Sequence, residues 1–232
     1  MSNALTIVAH GESGTGKSWF SDTAPAPRLV LDVEGGVRFT PSEKVEWDPR
    51  VEPPAGCETA VVTVRDLSAI QQTFQWLNAG QHPFRSVVID SLTEAQKRAV
   101  DQIAGTAQMK TQDWGSLLRK MEAMVRAFRD LTSHPVKPLE CVVFVCGSRT
   151  DENGIIRPHL QGQMGATLPY YVDVVAHLSV LFDEAGEFRN RAAFRPVGGI
   201  VAKDRTARLG ASMDDPTIPR MFDMVYRTAE AA

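Results

Sequence analysis

Short apolar runs alternate along the chain with longer segments whose apolar residues recur at helical spacing. The apolar runs at residues 5–9, 29–31, 61–64, 86–89 and 140–146 predict strands. Helical spacing predicts helices over 67–77 and 114–131, and 17–22 has room for a short helix before Pro25. Strands that alternate with helices favour an α/β fold, in which a mostly parallel central sheet is covered by helices on both faces.

The pattern changes after Phe182. Residues 184–186 predict a hairpin turn, and 188–195 and 200–205 predict short strands, so we expect antiparallel strands at one edge of the sheet. Residues 50–60 are typical of a loop. Pro216 and Pro219 separate a C-terminal helix or tail, 211–232, from a core that spans 1–210.

Composition narrows the class of protein. A chain of 232 residues with 43% hydrophobic and 23% charged residues has the size of one globular domain. A formal net charge of -3 gives no global positive field, so any nucleic-acid site has to be local. The three cysteines lack a pairing pattern, and no leader or apolar segment of about 18 residues is visible. We therefore expect a cytoplasmic protein without membrane contact.

A glycine-rich motif follows the first predicted strand and opens the first predicted helix. Its backbone N–H groups can surround phosphates, Lys17 can reach the β and γ oxygens, and the Ser18 hydroxyl can bind magnesium. This strand, loop and helix context is what a P-loop requires, and it predicts a site for ATP and Mg²⁺. The motif consists of Gly11, Glu12, Ser13, Gly14, Thr15, Gly16, Lys17 and Ser18.

Carboxylates follow two of the predicted strands. Asp90 ends the run 86–89 and is our candidate Walker B residue, which holds magnesium through water; without the P-loop it would be interpreted as a helix cap. Asp32 and Glu34 end the second strand, and alternation places them on the same side. A strand end beside the P-loop strand suits a carboxylate that acts on the attacking water, although Glu34 alone is equally typical of a solvated loop.

The order of these motifs resembles RecA-type ATPases, and most closely the short phage RecA-like single-strand annealing proteins of the Sak group, over nearly the whole chain. The matching segments are Gly11 to Ser18, Leu31 to Gly36, Val88 to Thr93, and Lys203 to Arg205. The resemblance implies a RecA-like P-loop NTPase core over residues 1–210. For a phage protein, the expected location is the cytoplasm of the host cell.

The resemblance also implies roles for individual residues. Glu34 would activate the hydrolytic water, and Asp32 would support it. Lys203 and Arg205 would contact the γ-phosphate bound by a neighbouring subunit, which requires self-assembly into a ring or filament. The alternative for these two cations is an exposed strand edge that charge keeps soluble.

One position departs from the RecA pattern. Residues 145–149 replace a polar sensor that couples DNA to the γ-phosphate, and Gly147 has no side chain for that contact. Ser148 or Arg149 could take over the contact. The sequence therefore leaves the coupling between DNA and hydrolysis open.

In RecA-like filaments, two loops face single-stranded DNA, and here they would fall near residues 105–115 and 150–166. Both are rich in small and polar residues, which suit a mobile loop that contacts phosphates and bases. The first part of the second loop favours a hairpin that turns at Asn153 and Gly154, which leaves 161–166 as the better DNA candidate. The candidate DNA-binding residues are Lys110, Arg157, Gln161 and Gln163.

The leading hypothesis is an ATP-dependent protein that binds single-stranded DNA and promotes annealing or strand exchange in phage recombination, with ATP hydrolysed at subunit interfaces. The family implies a single-strand-binding protein as a further partner. The alternatives are a hexameric helicase-type motor and a non-hydrolysing module in which ATP clamps subunits on DNA. A small-molecule kinase is disfavoured because the sequence has no arginine-rich lid.

Overall fold

The computed structural model describes residues 3–182 and 186–227. Its helices are α1 (Lys17–Ser21), α2 (Leu67–Asn78), α3 (Leu92–Ala104), α4 (Thr111–Asp130), α5 (Met164–Tyr171) and α6 (Ile218–Tyr226). Its strands are β1 (Leu5–Gly11), β2 (Arg28–Asp32), β3 (Lys44–Glu46), β4 (Thr59–Thr63), β5 (Ser86–Asp90), β6 (Cys141–Thr150), β7 (Ile156–Pro158), β8 (Val174–Phe182), β9 (Phe188–Ala193), β10 (Lys203–Asp204) and β11 (Ser212–Asp214).

Nine of the described strands follow one another in the sheet in the order β11-β9-β8-β1-β6-β5-β2-β4-β3, while β7 pairs only with β6 and β10 only with β8. Every neighbouring pair from β8 to β3 is parallel, so the carboxyl ends of these strands meet at one edge. In the register, Gly11 of β1 lies beside Gly147 of β6, and Asp90 of β5 lies beside Val145 of β6. This edge therefore collects the segments that carry the sequence motifs.

Alternate residues of the parallel strands enter two hydrophobic cores, one on each face of the sheet. On one face, Val142 and Phe144 of β6 pack with residues of α2, α3, α4 and α5. On the other, Cys141, Val143 and Val145 pack with Phe20 of α1 and with α6. The predicted α/β fold, with helices on both faces of a mostly parallel sheet, is confirmed.

Antiparallel strands extend one edge, as the change of pattern after Phe182 predicted. β9 pairs with β8, and β11 pairs with β9. The strand predicted over 200–205 is shorter than expected, since β10 covers only Lys203 and Asp204 and pairs with the start of β8. Glu184 and Ala185 of the predicted turn lie outside the described residues.

The C-terminal segment packs against the same core. Ile218, Met221 and Val225 of α6 are buried in the cluster that contains β1 residues. The side chain of Thr217 caps α6, and Pro219 occupies its first turn, where a missing N–H costs nothing. The division of the chain at residue 210 stays a prediction.

The second candidate DNA loop is more ordered than the sequence indicated. β6 and β7 form the hairpin that turns at Asn153 and Gly154, with Arg149 opposite Arg157. The expectation of a mobile loop over the rest is wrong from Met164 onward, because α5 begins there and Met164 is fully buried in the core. Only 161–163 remains as an exposed turn between β7 and α5.

None of the helices described in residues 3–182 and 186–227 has the length and apolar character needed to cross a bilayer.

The buried face of α4 gives a test of the core. Replacing Phe128, which is 1% exposed, with alanine should lower the free energy of unfolding by about 3–5 kcal/mol, because a cavity remains against Phe74. The matched control is Lys120→Ala on the exposed side of the same helix, which should change it by less than about 0.5 kcal/mol. Urea unfolding followed by circular dichroism measures both, and equal losses would contradict the assigned faces.

Candidate functional site

A cleft of about 780 Å³ lies at the carboxyl edge of the sheet. It is bounded by the glycine-rich loop on one side and by the ends of β5 and β6 on the other. The lining residues are Gly11, Glu12, Ser13, Gly14, Gly16, Lys17, Ser18, Trp19, Glu34, Gly36, Phe39, Thr40, Asp90, Ser91, Thr93, Val145, Gly147, Ser148, His159 and Asn190. Of the predicted P-loop, only Thr15 is absent from this lining, since its hydroxyl turns inward to the carbonyl of Glu12 at 2.9 Å.

The backbone of the loop needs glycine for two different reasons. At Gly11 the constraint is space, because a Cβ atom there would lie 2.4 Å from the carbonyl oxygen of Leu178. At Gly14 and Gly16 the constraint is conformation, since their φ angles are 82° and 78°. The loop therefore presents bare backbone to the cleft, as close approach to a phosphate requires.

Lys17 lies in the cleft with its ammonium directed at the loop. Its Nζ donates a hydrogen bond to the carbonyl oxygen of Glu12 at 2.6 Å. Burial lowers the pKa of Lys17, and the negative charges of Asp90 and Glu34 oppose that shift. An anionic ligand would satisfy this half-buried cation better than a single carbonyl does.

Ser18 and Asp90 meet across the cleft. The Ser18 hydroxyl donates to Oδ2 of Asp90 at 2.7 Å, although the two residues are 72 positions apart in the sequence. Burial raises the pKa of Asp90 to about 6; the Ser18 hydrogen bond opposes the shift, and Glu34 adds to it. A hydroxyl and a desolvated carboxylate at this spacing fit Mg²⁺, a hard cation that prefers oxygen ligands and keeps several waters.

Glu34 reaches the cleft by a different route from the one predicted. The expectation that its strand lies beside the P-loop strand is wrong, since β6 and β5 lie between β1 and β2. The loop after β2 nevertheless brings the carboxylate to Ser91, whose hydroxyl donates to Glu34 and accepts the N–H of Glu94. Ser91 therefore fixes one carboxylate oxygen of Glu34 and leaves the other available to the cleft.

Asp32 stabilises the loop after β2 that carries Glu34. Its carboxylate accepts the N–H of Gly35 at 2.7 Å, and burial raises its pKa while the backbone N–H groups oppose the shift. Asp32 is 7% exposed and does not line the cleft. The geometry thus separates the two carboxylates into one that faces the cleft and one that holds its loop.

Sequence reasoning missed the polar contacts that join the cleft to residues 159–161. The Thr93 hydroxyl accepts the N–H of Gly147 at 3.0 Å and donates to the carbonyl oxygen of His159 at 2.9 Å. One turn further along α3, the amide of Gln96 makes a pair of hydrogen bonds with the backbone of Gln161, at 2.6 and 3.3 Å. The signal in the sequence was the pair of polar residues Thr93 and Gln96 on one side of α3. Helical spacing alone could not identify the groups that they bind.

The four candidate DNA-binding residues fall into two groups. Gln161 and Gln163 are exposed in the turn before α5, and Lys110 is exposed at the start of α4. Trp114 of α4 and the 161–163 turn border a shared groove of about 260 Å³. Arg157 is separate from them, since it lies in the β6–β7 hairpin and forms an ion pair with Asp151.

Lys203 and Arg205 lie away from the cleft. Lys203 pairs with Val175 near the start of β8, whereas Gly11 lies beside Leu178 further along that strand. The Lys203 ammonium donates to the carbonyl oxygens of Pro169 and Val172 at the end of α5, at 2.8 and 2.7 Å. Arg205 is more exposed and forms an ion pair with Asp173 at 2.7 Å. Neither cation lines the cleft of its own chain.

Three further residues of the cleft belong to none of the sequence motifs. Trp19 and Phe39 line it and are 59% and 70% exposed, and Asn190 of β9 approaches the backbone of Gly16. Exposed aromatic rings beside a phosphate loop offer faces on which a nucleobase can stack.

Among the described residues, no group of three or more His, Cys, Asp or Glu side chains could hold a metal ion. Ser18 and Asp90 would supply oxygen ligands to a magnesium ion that arrives with a nucleotide.

The close approach at Gly11 gives a direct test of the loop. Gly11→Ala should abolish nucleotide binding and lower the thermal midpoint, because its Cβ would meet backbone at 2.4 Å. Gly115→Ala on α4, outside the cleft, is the matched control, since a Cβ there meets only the end of the Arg119 side chain at 3.7 Å. Binding of a fluorescent ATP analogue and thermal unfolding measure both variants. Full nucleotide binding by Gly11→Ala would refute the geometry.

Comparison with known proteins identifies the family of the chain. The family model AAA_24, described as an AAA domain, matches residues 3–206. A search of curated proteins finds no match. The prediction of a P-loop ATPase is confirmed at the level of the family, while the resemblance to the phage Sak group stays a prediction. The chain belongs to the AAA domain family of P-loop NTPases.

Proposed function

We propose that the protein is an ATPase that binds single-stranded DNA and promotes annealing or strand exchange, with ATP hydrolysed at the interface between identical subunits. The observation that carries the proposal is a single cleft that combines Lys17, the Ser18 and Asp90 pair, and Glu34. These groups supply the cation, the metal ligands and the base that phosphoryl transfer to water needs.

Hydrolysis follows from the roles of these side chains. Lys17 would leave the Glu12 carbonyl and neutralise charge on the β and γ oxygens. Ser18 and Asp90 would hold magnesium, which neutralises phosphate charge when bound. Glu34, with one oxygen fixed by Ser91, would accept a proton from the attacking water. A purely binding module would not require this fixed carboxylate.

Support for DNA comes from the contacts of α3. The helix starts beside Asp90 in the cleft, and Thr93 and Gln96 hold the backbone of 159–161. The exposed turn 161–163 and Lys110 offer polar and cationic contacts for a strand. A shift of α3 on nucleotide binding would therefore move the candidate DNA turn, although Gly147 offers no side chain for the purpose.

Support for self-assembly comes from the position of Arg205. Its side chain is 54% exposed and lies away from the cleft of its own chain. It follows β10 near the amino end of β8, whereas the cleft lies at the carboxyl ends of the parallel strands. A neighbour stacked with its cleft against this end would receive Arg205 at its phosphates, where a cation stabilises transition-state charge. Lys203 is committed to carbonyls of α5, so its contribution would be to hold that segment.

The function is tested by steady-state ATP hydrolysis with and without single-stranded DNA, at low and moderate salt. Wild-type turnover should rise with DNA. Glu34→Gln should bind ATP normally and lose about 100-fold or more in turnover, because the base is gone. Lys17→Ala should lose nucleotide binding itself.

Three results would count against the proposal. Normal turnover by Glu34→Gln would remove the assigned base. Turnover indifferent to DNA, together with no DNA binding, would move the protein to another P-loop function. Unwinding of a duplex by closed hexamers would favour the helicase-type motor.

Arg205 gives a separate test of catalysis across an interface. Arg205→Ala should bind ATP as the wild type does but lose the rise in turnover per subunit that accompanies increasing protein concentration. Arg50→Ala is the control, because Arg50 also forms an exposed ion pair, with Asp48, in a different part of the chain. Either ion pair contributes little to stability, so thermal midpoints should stay close to that of the wild type. Concentration-dependent turnover in Arg205→Ala would exclude the role.

A further inference from the structure

His10 lies directly before the P-loop and is fully buried. Both of its ring nitrogens have partners: Nδ1 lies 2.8 Å from the hydroxyl oxygen of Ser148, and Nε2 lies 2.7 Å from the carbonyl oxygen of Val201. Ser148 lines the phosphate cleft, and Val201 lies two residues before Lys203. One imidazole therefore connects the cleft to a segment remote from it in sequence.

The direction of these hydrogen bonds follows from the chemistry of the partners. A carbonyl oxygen can only accept, so Nε2 carries a proton and donates it to Val201. Burial, with the positive charge of Lys17 and the neighbouring His177 adding to it, lowers the pKa of His10 to about 3, so the ring is neutral near pH 7. A neutral ring has a single N–H, which leaves Nδ1 as an acceptor. Ser148 must then donate its only hydroxyl proton to His10.

This direction determines what Ser148 offers to the cleft. Its proton points inward, so only oxygen lone pairs remain for a ligand. Lone pairs repel a phosphate oxygen and attract a donor such as water. Glu34, across the same cleft, likewise presents an acceptor, since Ser91 donates to its other oxygen.

We propose that Ser148 is a second acceptor for the attacking water, and that His10 is the positioning residue that fixes this polarity. The inference rests on the proposed ATP hydrolysis. The water would donate one hydrogen to Glu34 and one to Ser148, which directs a lone pair at the γ-phosphorus. As the new O–P bond forms, Glu34 takes the proton, and the bond from the γ-phosphorus to the bridging oxygen breaks with its electron pair passing to ADP.

The Val201 carbonyl is the last group in the series of hydrogen bonds that runs from Ser148 through His10. Because it accepts from Nε2, it selects the tautomer that leaves Nδ1 free to accept from Ser148. The opposite tautomer would place Nε2 and the carbonyl oxygen lone pair to lone pair. The segment before Lys203 thus sets the polarity of a side chain in the cleft through one buried ring.

The kinetic test uses serine variants of the full chain. Ser148→Ala should lower kcat by about tenfold or more, as loss of a positioned acceptor does, with KM and the affinity for ATP unchanged. Ser148→Thr should restore kcat because it keeps the hydroxyl. Ser133→Ala, an exposed position on the turn after α4, is the control and should behave as the wild type.

Unchanged kcat in Ser148→Ala, in a wild type that hydrolyses ATP, would overturn the role of Ser148 and leave the ATPase function standing. A parallel loss of ATP affinity would also overturn it, because that result indicates a phosphate contact. Absence of turnover in the wild type would instead remove the ATPase function and this inference together.

The spectroscopic test reads the tautomer of His10 by ¹⁵N NMR of protein labelled at histidine, with His10→Gln used to assign its signal. We expect the Nε2–H tautomer both without nucleotide and with a non-hydrolysable ATP analogue. Conversion by the analogue to the Nδ1–H tautomer or to imidazolium would mean that Ser148 has turned its proton to the phosphate. That result would overturn the proposed polarity.

Discussion

The parallel register of four neighbouring strands is the constraint on which the site depends. β1, β6, β5 and β2 end at the same edge, so the P-loop, Ser148, Asp90 and the Glu34 loop converge although the chain separates them by up to 137 positions. The hydrogen bond between Ser18, which follows β1, and Asp90 of β5 joins two segments that are separated in the sheet by β6. A slip of one residue in any of these strands would turn its side chains to the other face, so core packing on both faces protects the site.

Negative side chains outnumber positive ones in the cleft, which favours a bound cation. Among the described lining residues, Glu12, Glu34 and Asp90 lie near a single ammonium, that of Lys17. Asp90 has its pKa raised from 3.8 to about 6, so its contribution to stability is complete only below about pH 3.8 and is lost as pH rises through about 6. At neutral pH the buried carboxylate therefore costs stability that a bound cation would restore. The buried carboxylate therefore lowers the stability of the protein and favours the binding of a cation.

The sequence predicted the parts of the site that local chemistry determines and missed those that tertiary contacts determine. The P-loop and Asp90 follow from motifs whose residue types and strand context can be recognised in the sequence. Glu34 was expected on a strand beside the P-loop strand, but β6 and β5 lie between them. The start of α5 lies in the predicted loop 150–166, which is rich in small and polar residues, yet burial of Met164 and Leu168 favours a helix there. His10 stands inside an apolar strand, and its partners lie 138 and 191 residues away, so spacing could not show that its ring would be satisfied on both sides.

Two hydrogen-bond systems lead out of the cleft, and both end on backbone. Thr93 and Gln96 hold the main chain of His159 and Gln161, and His10 holds the carbonyl of Val201. Under the proposed function, coupling of DNA binding to hydrolysis through these contacts would not need a polar side chain at position 147, where the chain has glycine. It would also not depend on which side chains occupy 159, 161 or 201, because the main chain supplies the partner atoms. The residues that would matter are Thr93, Gln96 and His10, whose side chains present a donor or an acceptor to that main chain in a fixed direction.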